Sequence, residues 1–249
     1  MGNSIQSTFS RYEKKYMLTS EQLSAIQAGI EKQMTADTYG QYTISNIYYD
    51  TEDYRLIRTS LEKPVYKEKL RMRSYGVPSG SDPVFVELKK KYNGVVYKRR
   101  VVLSADCAVD YIDHGILPPD ENQICHEIDW FMRFWKPVPK VFIAYDRTAF
   151  AGREDPELRI TFDRNLRWRD TELDLRAGTH GALFLPEDQT LMEIKIPGTA
   201  PVWLAHLLSE NGVFPVSFSK YGTCYIKNIL PQFPGSRNPA ASREVFPCA

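Results

Sequence analysis

Charged residues recur at every second position in several short segments whose other residues favour β-structure, and the longest run contains Lys67, Lys69, Arg71 and Arg73. Successive side chains of a strand point to opposite faces, so each run projects from one face. In an ordinary half-buried strand such a face meets water. Six strands with basic and acidic residues on a single face indicate instead a closed sheet whose interior binds a polyanion and a metal. The other runs carry Arg11, Glu13 and Lys15; Glu87 and Lys89; Tyr145 and Arg147; Arg159 and Asp163; and Glu193 and Lys195.

The charge of this interior limits how it can be built. Neighbouring cations repel each other by roughly 1 kcal/mol per pair in water and by about 4 kcal/mol at an effective dielectric constant of 20. Glu87 and Lys89 can face Lys98 and Arg100 across a hairpin. A dry interior cannot hold such cations unpaired. Either inward-facing acids neutralise them, or the site is wet and is neutralised by a phosphate-bearing ligand.

Eight segments have the composition of β-strands, and several helices separate them. Asn93-Gly94 between two of these segments indicates a hairpin, because a type I′ turn needs positive φ at both central positions. Leu23, Ile26 and Ile30 give the first helix, which starts at residues 19–22, an apolar stripe. The predicted strands are 8–18, 43–50, 65–75, 84–92, 95–103, 140–150, 158–166 and 190–197. The other predicted helices are 53–59, 104–114, 122–135, 202–211 and 218–230.

These elements predict an α+β fold built on one closed sheet. Eight mostly antiparallel strands can close into a barrel whose interior holds side chains or one small ligand. We therefore expect an eight-stranded antiparallel β-barrel with helices packed outside. Residues 8–230 contain no internal repeat and no linker, which predicts a single domain. Residues 1–7 are predicted to be a flexible N-terminus and residues 231–249, rich in Pro, Ser and Ala, a disordered tail.

The overall composition excludes several classes of protein. Hydrophobic residues make up 43% and charged residues 25% of the 249 residues, which argues against a fibrous or disordered chain. The formal charge of +1 gives the whole molecule no strong attraction to nucleic acid or to an anionic membrane. No apolar stretch approaches the roughly 18 residues that span a bilayer, and the first residues are too polar for a signal peptide. We therefore expect a cytoplasmic protein that has no membrane segment and binds no nucleic acid.

Other kinds of catalytic site lack their residues in this chain. The four cysteines are widely spaced without a Cys-x-x-Cys pair, which argues against a zinc cage and fits reduced thiols. The four histidines show no His-Glu-x-x-His spacing. A Gly-rich GxxxxGK[ST] loop is also missing from the sequence, so a P-loop cannot hold a nucleotide here. The alternating charged runs are therefore the candidate site.

Short motifs that include these charged residues follow one another in a fixed order. Each motif alone occurs in many unrelated proteins, whereas the ordered set is specific enough to indicate one protein family, and it covers about residues 8–230. The motifs are Phe9-x-Arg11-x-Glu13-x-Lys15-Tyr16-x-Leu18, Tyr48-Tyr49-Asp50-Thr51, Leu70-Arg71-Met72-Arg73-x-Tyr75, Glu87-Leu88-Lys89, Lys98-Arg99-Arg100, Tyr145-x-Arg147, Glu193-Ile194-Lys195 and Ser219-Lys220-Tyr221.

This ordered set resembles the VTC (vacuolar transporter chaperone) domain, the polyphosphate polymerase branch of the triphosphate tunnel metalloenzymes. The resemblance implies an eight-stranded antiparallel tunnel, in agreement with the strand count. The related CYTH-type branch of triphosphatases and cyclases begins with Glu-x-Glu-x-Lys. Here Arg11 replaces the first Glu, which favours the polymerase branch and leaves one metal-binding carboxylate fewer.

The resemblance also implies roles for the charged residues. Phosphoryl transfer depends mainly on positioning and on neutralising charge on phosphate oxygens, which arginines can bind bidentately and lysines as point charges. The implied catalytic residues are Arg71, Arg73, Lys89, Arg147 and Lys220. The implied phosphate- or nucleotide-binding residues are Lys15, Lys69, Lys98, Arg100, Tyr145, Arg159 and Lys195. The implied ligands of a divalent metal, Mn²⁺ or Mg²⁺, are Glu193 and, more weakly, Glu13 and Glu87.

Three of these roles have an open alternative. Glu13 and Glu87 could instead pair with neighbouring Lys or Arg side chains. Tyr145 could hydrogen-bond a phosphate, or it could be a buried tyrosine with a backbone partner.

The reaction implied by the resemblance is ATP-dependent polyphosphate synthesis. The terminal phosphoryl group of ATP would pass to phosphate or to a growing polyphosphate end inside the tunnel, and ADP would leave. The expected partners are ATP, polyphosphate, pyrophosphate or triphosphate. Two alternatives remain open: a metal-dependent hydrolase of triphosphate or nucleoside triphosphate, which uses water as the acceptor, and a non-catalytic polyphosphate-binding module.

Overall fold

The computed structural model describes residues 11–93 and 95–233. Within these residues the chain forms a nine-stranded sheet and six α-helices, and the strand pairs with an assigned register are antiparallel. The predicted α+β class is therefore confirmed. The strands are β1 Arg11–Leu18, β2 Met34–Asp50, β3 Tyr66–Tyr75, β4 Pro83–Tyr92, β5 Val95–Ser104, β6 Val138–Gly152, β7 Arg159–Arg169, β8 Ala182–Leu183 and β9 Thr190–Pro197. The helices are α1 Ser20–Ile30, α2 Arg55–Leu61, α3 Ala105–His114, α4 Gln123–Trp135, α5 Val202–Glu210 and α6 Lys220–Cys224.

The sheet order is β1-β9-β7-β6-β2-β3-β4-β5, with the short β8 paired to β7 beside this path. β3, β4 and β5 follow one another as a meander, whereas β1 pairs with β9 from the other end of the chain. The path begins with β1 and ends with β5. All eight predicted strands are present, and β8 is an addition of two residues.

The described residues group into two compact units. The first contains residues 11–42, 145–166 and 185–218, and the second contains residues 43–144, 167–184 and 219–233. β2, β6 and β7 each contribute residues to both units. The single domain expected over residues 8–230 stays a prediction.

The second unit has a core between its sheet and the helices α3 and α4. Leu70 and Met72 of β3 and Val86 and Leu88 of β4 belong to this core together with Phe131 of α4, and each is at most 2% exposed. These strand residues have even numbers. Because successive strand side chains alternate between faces, the odd-numbered residues of β3 and β4 lie on the opposite face of the sheet.

The first unit has its own core, to which alternate residues of β1, β7 and β9 contribute. Tyr16, Ile160 and Ile194 are buried there with the apolar stripe of α1. The predicted start of α1 is confirmed, because Thr19 and Gln22 form a capping box in which each side chain bonds the other residue's backbone N–H. The odd-numbered residues of these three strands are again left on the opposite face.

Two elements differ from the sequence prediction. β2 begins at Met34 rather than at residue 43, and its first part is mostly exposed, so it lacks the apolar alternation by which a strand is recognised. The final helix predicted over 218–230 is α6 followed by π-helical residues Tyr225–Ile229 and a 3₁₀ turn at Leu230–Gln232. Pro231 has no N–H for the helical ladder, and it stands where the helix gives way to this tighter turn.

Some predictions fall partly or wholly outside the described residues. They are the flexible N-terminus, Gly94 of the hairpin turn and residues 234–249 of the expected tail. Asn93, the other turn residue, has the expected positive φ of 44°. The described cysteines Cys107, Cys125 and Cys224 are free thiols in this structure. In the part of the chain that the structure describes, no helix is both long and apolar enough to cross a membrane.

Candidate active site

One face of β3, β4 and β5 carries most of the predicted phosphate-binding residues of the second unit. The register places Arg71 opposite Glu87 and Lys69 opposite Lys89, and Lys89 is in turn opposite Lys98. The core residues described above occupy the other face, so these charges lie together. We call this surface the β3–β5 face; it consists of Lys69, Arg71, Arg73, Glu87, Lys89, Lys98 and Arg100.

Glu87 is the acid in the β3–β5 face, and it is 1% exposed. Its Oε2 accepts a hydrogen bond of 2.7 Å from Arg71 Nε and lies 2.6 Å from Arg71 Nη2. Lys98 Nζ lies 2.7 Å from Glu87 Oε1. Arg73 and Arg100 are farther away, with nitrogen–oxygen distances of 3.8 and 3.9 Å. Four cations therefore surround one buried carboxylate, and the cluster has an excess of positive charge.

The ionisation of Glu87 follows from this arrangement. Burial raises the pKa of Glu87, but Arg71, Arg73 and Lys98 outweigh burial and lower that pKa from 4.5 to about 2. Burial likewise lowers the pKa of Lys98, although Glu87 acts in the opposite direction. Both Glu87 oxygens are engaged by cations, so the geometry supports pairing, rather than metal binding, among the two roles predicted for this residue.

Two residues of β2 orient the arginines of the β3–β5 face. Asn46 is opposite Arg73 in the register, and its Oδ1 accepts a hydrogen bond of 3.0 Å from Arg73 Nε. The Asn46 amide is itself fixed, because its Nδ2 donates to the carbonyl of Ile143 at 3.1 Å. Tyr48 is opposite Arg71, whose Nη1 donates to the Tyr48 hydroxyl at 3.3 Å. Both β2 residues are buried, so they hold the guanidinium groups in defined orientations.

The start of α6 is anchored at two points beside Lys220. Ser219 caps the helix, and its Oγ accepts a hydrogen bond of 3.3 Å from Lys69 Nζ of the β3–β5 face. Tyr221 donates its hydroxyl proton to Asp50 Oδ2 at 2.9 Å. Asp50 in turn accepts backbone N–H bonds at the start of α2. Lys220, which is 8% exposed, lies in sequence between these two anchored residues.

The first unit contains a second charged cluster, which we call the Arg147 cluster: Lys15, Arg147, Asp163 and Glu193. Arg147 binds Asp163 bidentately, with nitrogen–oxygen distances of 2.6 and 2.7 Å. The same guanidinium reaches Glu193 Oε2 at 3.3 Å, and Lys15 Nζ lies 3.4 Å from Glu193 Oε1. Asp163 is fully buried and Glu193 is 8% exposed. Two acids therefore balance two cations in this cluster.

Arg147 remains charged despite its burial. Burial lowers the pKa of Arg147, but Tyr145, Asp163 and Glu193 outweigh it and hold that pKa well above the usual value. The Tyr145 ring centroid lies 5.2 Å from Arg147 Cζ, within the range of a cation–π contact. Tyr145 is 1% exposed, so this side chain packs beside Arg147 inside the unit.

The other predicted residues of the first unit form a neighbouring row. Lys195 of β9 is opposite Glu13 of β1 on one side and opposite Arg159 of β7 on the other. Glu13 Oε1 lies 3.7 Å from Lys15 Nζ, and the Glu13 side chain is 39% exposed. This row is one strand repeat away from the row of Lys15, Glu193 and Thr161, which places it at the margin of the Arg147 cluster.

The oxygen atoms around Glu193 fit a hard divalent cation. Thr161 is opposite Glu193, and its buried Oγ1 has no hydrogen-bond partner among the described residues. Such cations bind oxygen ligands, and Mg²⁺ is often held by one or two carboxylates together with substrate phosphates. Within the described ranges, no group of three or more His, Cys, Asp or Glu side chains could form a metal cage. A metal beside Glu193 would therefore depend on oxygen atoms of the substrate.

The sequence reasoning missed the residues that position these charges. Asn46 and Tyr48 were assigned no role, although their even numbers in β2 place them on one face, opposite Arg73 and Arg71. Asp163 was recognised as part of a charged run but not as the partner of Arg147. Strand parity could have indicated the strand face on which each of these three residues lies, whereas the pairing of β2 with β3 could not be read from the sequence.

The comparisons with known proteins agree with this architecture. The family model for the VTC domain matches residues 10–228. The chain belongs to the VTC domain family. No curated protein matches this VTC-domain chain.

Solved structures show the same fold as this VTC-domain chain. A candidate adenylate cyclase from Bacillus halodurans has a TM-score of 0.51 and 14% sequence identity, and the match covers 83% of this chain and 92% of that chain. A candidate adenylyl cyclase from Hippeastrum, described as having a dominant triphosphatase activity, has a TM-score of 0.54 and 13% identity, over 88% of this chain and 97% of that chain. The chain therefore has the same fold as these two structures.

Proposed function

We propose that this chain is a triphosphate-tunnel enzyme that synthesises polyphosphate from ATP. The observation that carries the proposal is the β3–β5 face, where one buried carboxylate holds four cations. This excess of positive charge is a preformed site for a polyanion, because the cations are fixed before the ligand arrives. Membership of the VTC domain family favours triphosphate as that polyanion and polyphosphate as the product.

In this proposal the β3–β5 face binds and orients phosphate oxygens. Arg71 and Arg73 present planar guanidinium groups whose directions are set by Glu87, Tyr48 and Asn46. Arginine can bind two phosphate oxygens at once, and its preset orientation reduces the entropy lost on binding. Lys69, Lys89, Lys98 and Lys220 supply further positive charge. The face therefore neutralises charge on the phosphoryl group as it is transferred.

The Arg147 cluster has a different task in the proposal. Asp163 fixes Arg147, so this guanidinium can bind a phosphate oxygen without reorienting. Glu193, with Thr161 beside it, would hold the divalent ion, Mn²⁺ or Mg²⁺. When bound, the ion would neutralise phosphate oxygens and stabilise the diphosphate of the departing ADP. Lys15, Lys195 and Arg159 add charge around this cluster.

In the proposed reaction the phosphoryl group is transferred intact from ATP to the acceptor. An oxygen of phosphate or of a polyphosphate end forms a new bond to the γ-phosphorus of ATP, and the bond from that phosphorus to the bridging oxygen breaks. ADP leaves, and the polymer is longer by one phosphate. The charged side chains position both reactants and need no covalent intermediate.

A product assay tests this function directly. The purified chain is incubated with ATP, Mn²⁺ and short polyphosphate, and the products are resolved by length on a gel while free phosphate is measured. Lengthened polymer with ADP is the expected result. An Arg73→Ala variant serves as a control for a contaminating activity, since it should lose most of the turnover.

Hydrolysis is the second candidate, and one observation favours it. The structure from Hippeastrum, which shares this fold, is described as having a dominant triphosphatase activity. In the same assay, release of free phosphate without longer polymer would identify the chain as a hydrolase rather than a polymerase. Binding of tripolyphosphate without any turnover would instead indicate a polyphosphate-binding module.

A further inference from the structure

The β3–β5 face has two chemically different ends. At one end the face carries Lys69 and Lys89, which lie opposite each other in the register. At the other end, beyond Arg73, the same face carries Tyr75 of β3 and Phe85 of β4. Lysines attract phosphate oxygens, whereas aromatic rings offer a π-surface. The two ends therefore suit different parts of one ligand.

The second end is a small aromatic platform, which we call the aromatic end: Tyr75, Phe85, Arg100 and Val102. The rings of Tyr75 and Phe85 meet edge to face, with centroids 5.6 Å apart and an interplanar angle of 88°. Arg100 Cζ lies 4.8 Å from the Phe85 centroid. Val102, opposite Phe85 in the register, is 56% exposed, and Tyr75 is 51% exposed.

The aromatic end is continuous with the arginines that would bind phosphate. Phe85 is directly opposite Arg73 in the register. Tyr75 is two residues beyond Arg73 on the same face, which is about 7 Å along a strand. Arg100 spans both regions, because it contacts the Phe85 ring and also lies 3.9 Å from Glu87 Oε1. A ligand bound to these arginines would therefore have a neighbouring group beside Tyr75.

We propose that the aromatic end is a nucleobase subsite. This inference rests on the proposed function, in which Arg71 and Arg73 bind the phosphates of a nucleoside triphosphate. The sugar of such a ligand separates its base from its phosphates, so the base must bind beside the cation cluster rather than within it. The exposed ring of Tyr75 provides a stacking surface there, and Arg100 adds a cation next to it.

The subsite sets the direction and the selectivity of binding. With the base at Tyr75, the phosphate chain runs past Arg73 and Arg71 toward Lys69 and Lys89. Stacking requires only a π-face, which every base has, and so the subsite accepts adenine and guanine with similar affinity. The Tyr75 ring is half-exposed, so aromatic surface is accessible to a base.

Calorimetric titration with three ligands tests the subsite. ATP, GTP and tripolyphosphate are titrated into the wild-type chain and into Tyr75→Ala and Phe85→Leu variants. Tyr75→Ala removes the ring on which the base would stack, so ATP and GTP binding should weaken by about 5- to 140-fold, while tripolyphosphate binding stays within about twofold. Phe85→Leu keeps an apolar side chain and should weaken the two nucleotides less.

Tyr92→Ala is the matched control. Tyr92 is 57% exposed at the far end of β4, and its even number places it on the other face of the strand. This variant should bind all three ligands like the wild type. Melting curves with and without tripolyphosphate show whether each variant is folded.

The outcomes separate this inference from the proposed function. If the wild type binds tripolyphosphate and the folded Tyr75→Ala variant binds ATP as tightly as the wild type does, the nucleobase subsite is wrong and the triphosphate site stands. Equal weakening of ATP and tripolyphosphate by Tyr75→Ala would also reject it, because the residue would then act on the phosphate site. If the wild type binds neither ligand, the proposed function and the subsite both fail.

Discussion

The β3–β5 face and the Arg147 cluster differ in the ratio of acidic to basic side chains. On the β3–β5 face, one carboxylate, Glu87, lies within 4 Å of four cationic side chains. In the Arg147 cluster, two acids, Asp163 and Glu193, balance Arg147 and Lys15. The first arrangement leaves positive charge for a ligand. The second leaves the cluster nearly neutral, and in the proposed function its less buried acid, Glu193, exchanges a cationic partner for a metal.

The comparison also separates two kinds of acid. Both oxygens of Glu87 and both oxygens of Asp163 form short contacts with cations, so we assign these residues a positioning role in the proposed function. Glu193 has longer contacts of 3.3 and 3.4 Å, and it lies beside the buried hydroxyl of Thr161. Long contacts are easier to give up when another ligand competes. Glu193 is therefore the acid through which the comparison can be tested most directly.

The largest expected effect is on catalysis by Glu193→Gln. The substitution keeps the shape of the side chain and removes the charge that would hold the metal, so phosphoryl transfer should fall by at least about 100-fold. The melting temperature should change little, because Gln keeps the side-chain volume and its amide oxygen can still accept a hydrogen bond from Arg147. Turnover is measured across a Mn²⁺ titration. Wild-type turnover by the mutant in Mn²⁺ would remove Glu193 from the metal site.

The next effect compares the stability of Arg147→Ala and Arg71→Ala. Arg147 makes both short contacts to the fully buried Asp163, so its removal should cost about 3 to 5 kcal/mol of unfolding free energy. Removal of Arg71 leaves Glu87 with Lys98 at 2.7 Å and should cost about 1 to 2 kcal/mol. Urea unfolding of the two variants checks the order. Equal losses would show that the extra cations do not protect Glu87.

A third prediction concerns acid stability, and its sign follows from the lowered pKa of Glu87. A folded-state pKa below the unfolded value adds stability that is fully present above pH 4.5 and is lost as the pH falls toward 2. The fall of the pKa from 4.5 to about 2 corresponds to about 3 kcal/mol. Unfolding measured between pH 5 and pH 2 should show this loss. Glu87→Gln, less stable than the wild type at pH 5, should show a shallower dependence, and an unchanged slope would contradict the assignment.

The smallest effect is expected for Tyr48→Phe, which removes only the hydroxyl that accepts from Arg71. The ring and its stacking on Tyr221 are retained, so folding should change by less than about 1 kcal/mol. If the hydroxyl orients Arg71 for phosphate, tripolyphosphate affinity should fall by about two- to tenfold. An affinity equal to that of the wild type would show that Glu87 alone orients Arg71.

Much of the fold could be predicted because two periodicities are visible in the chain. The alternation of Leu70 and Met72 with Arg71 and Arg73 predicts both a strand and its two faces, and the structure has β3 there. The capping pair Thr19 and Gln22 similarly marks the start of α1. The first part of β2 escaped prediction since it is exposed and has no such alternation.

The sequence by itself determined the chemical character of the site. Strand parity places Lys69, Arg71, Arg73 and Glu87 on one side of their strands whatever the partners are, because the side-chain repeat is local to the backbone. The ordered motifs likewise identify the VTC domain family from residues along the chain.

Only the tertiary structure decided which charges meet. Sheet pairing places Asn46 and Tyr48 against the two arginines, and it places Asp163 within reach of Arg147, across separations in sequence that no local repeat specifies. Whether an acid holds a metal or a cation depends on these neighbours and on burial, since the strength of a charge pair depends on distance and local dielectric. Glu87 and Glu193 are both glutamates at odd positions of charged strands, and their surroundings alone make them different.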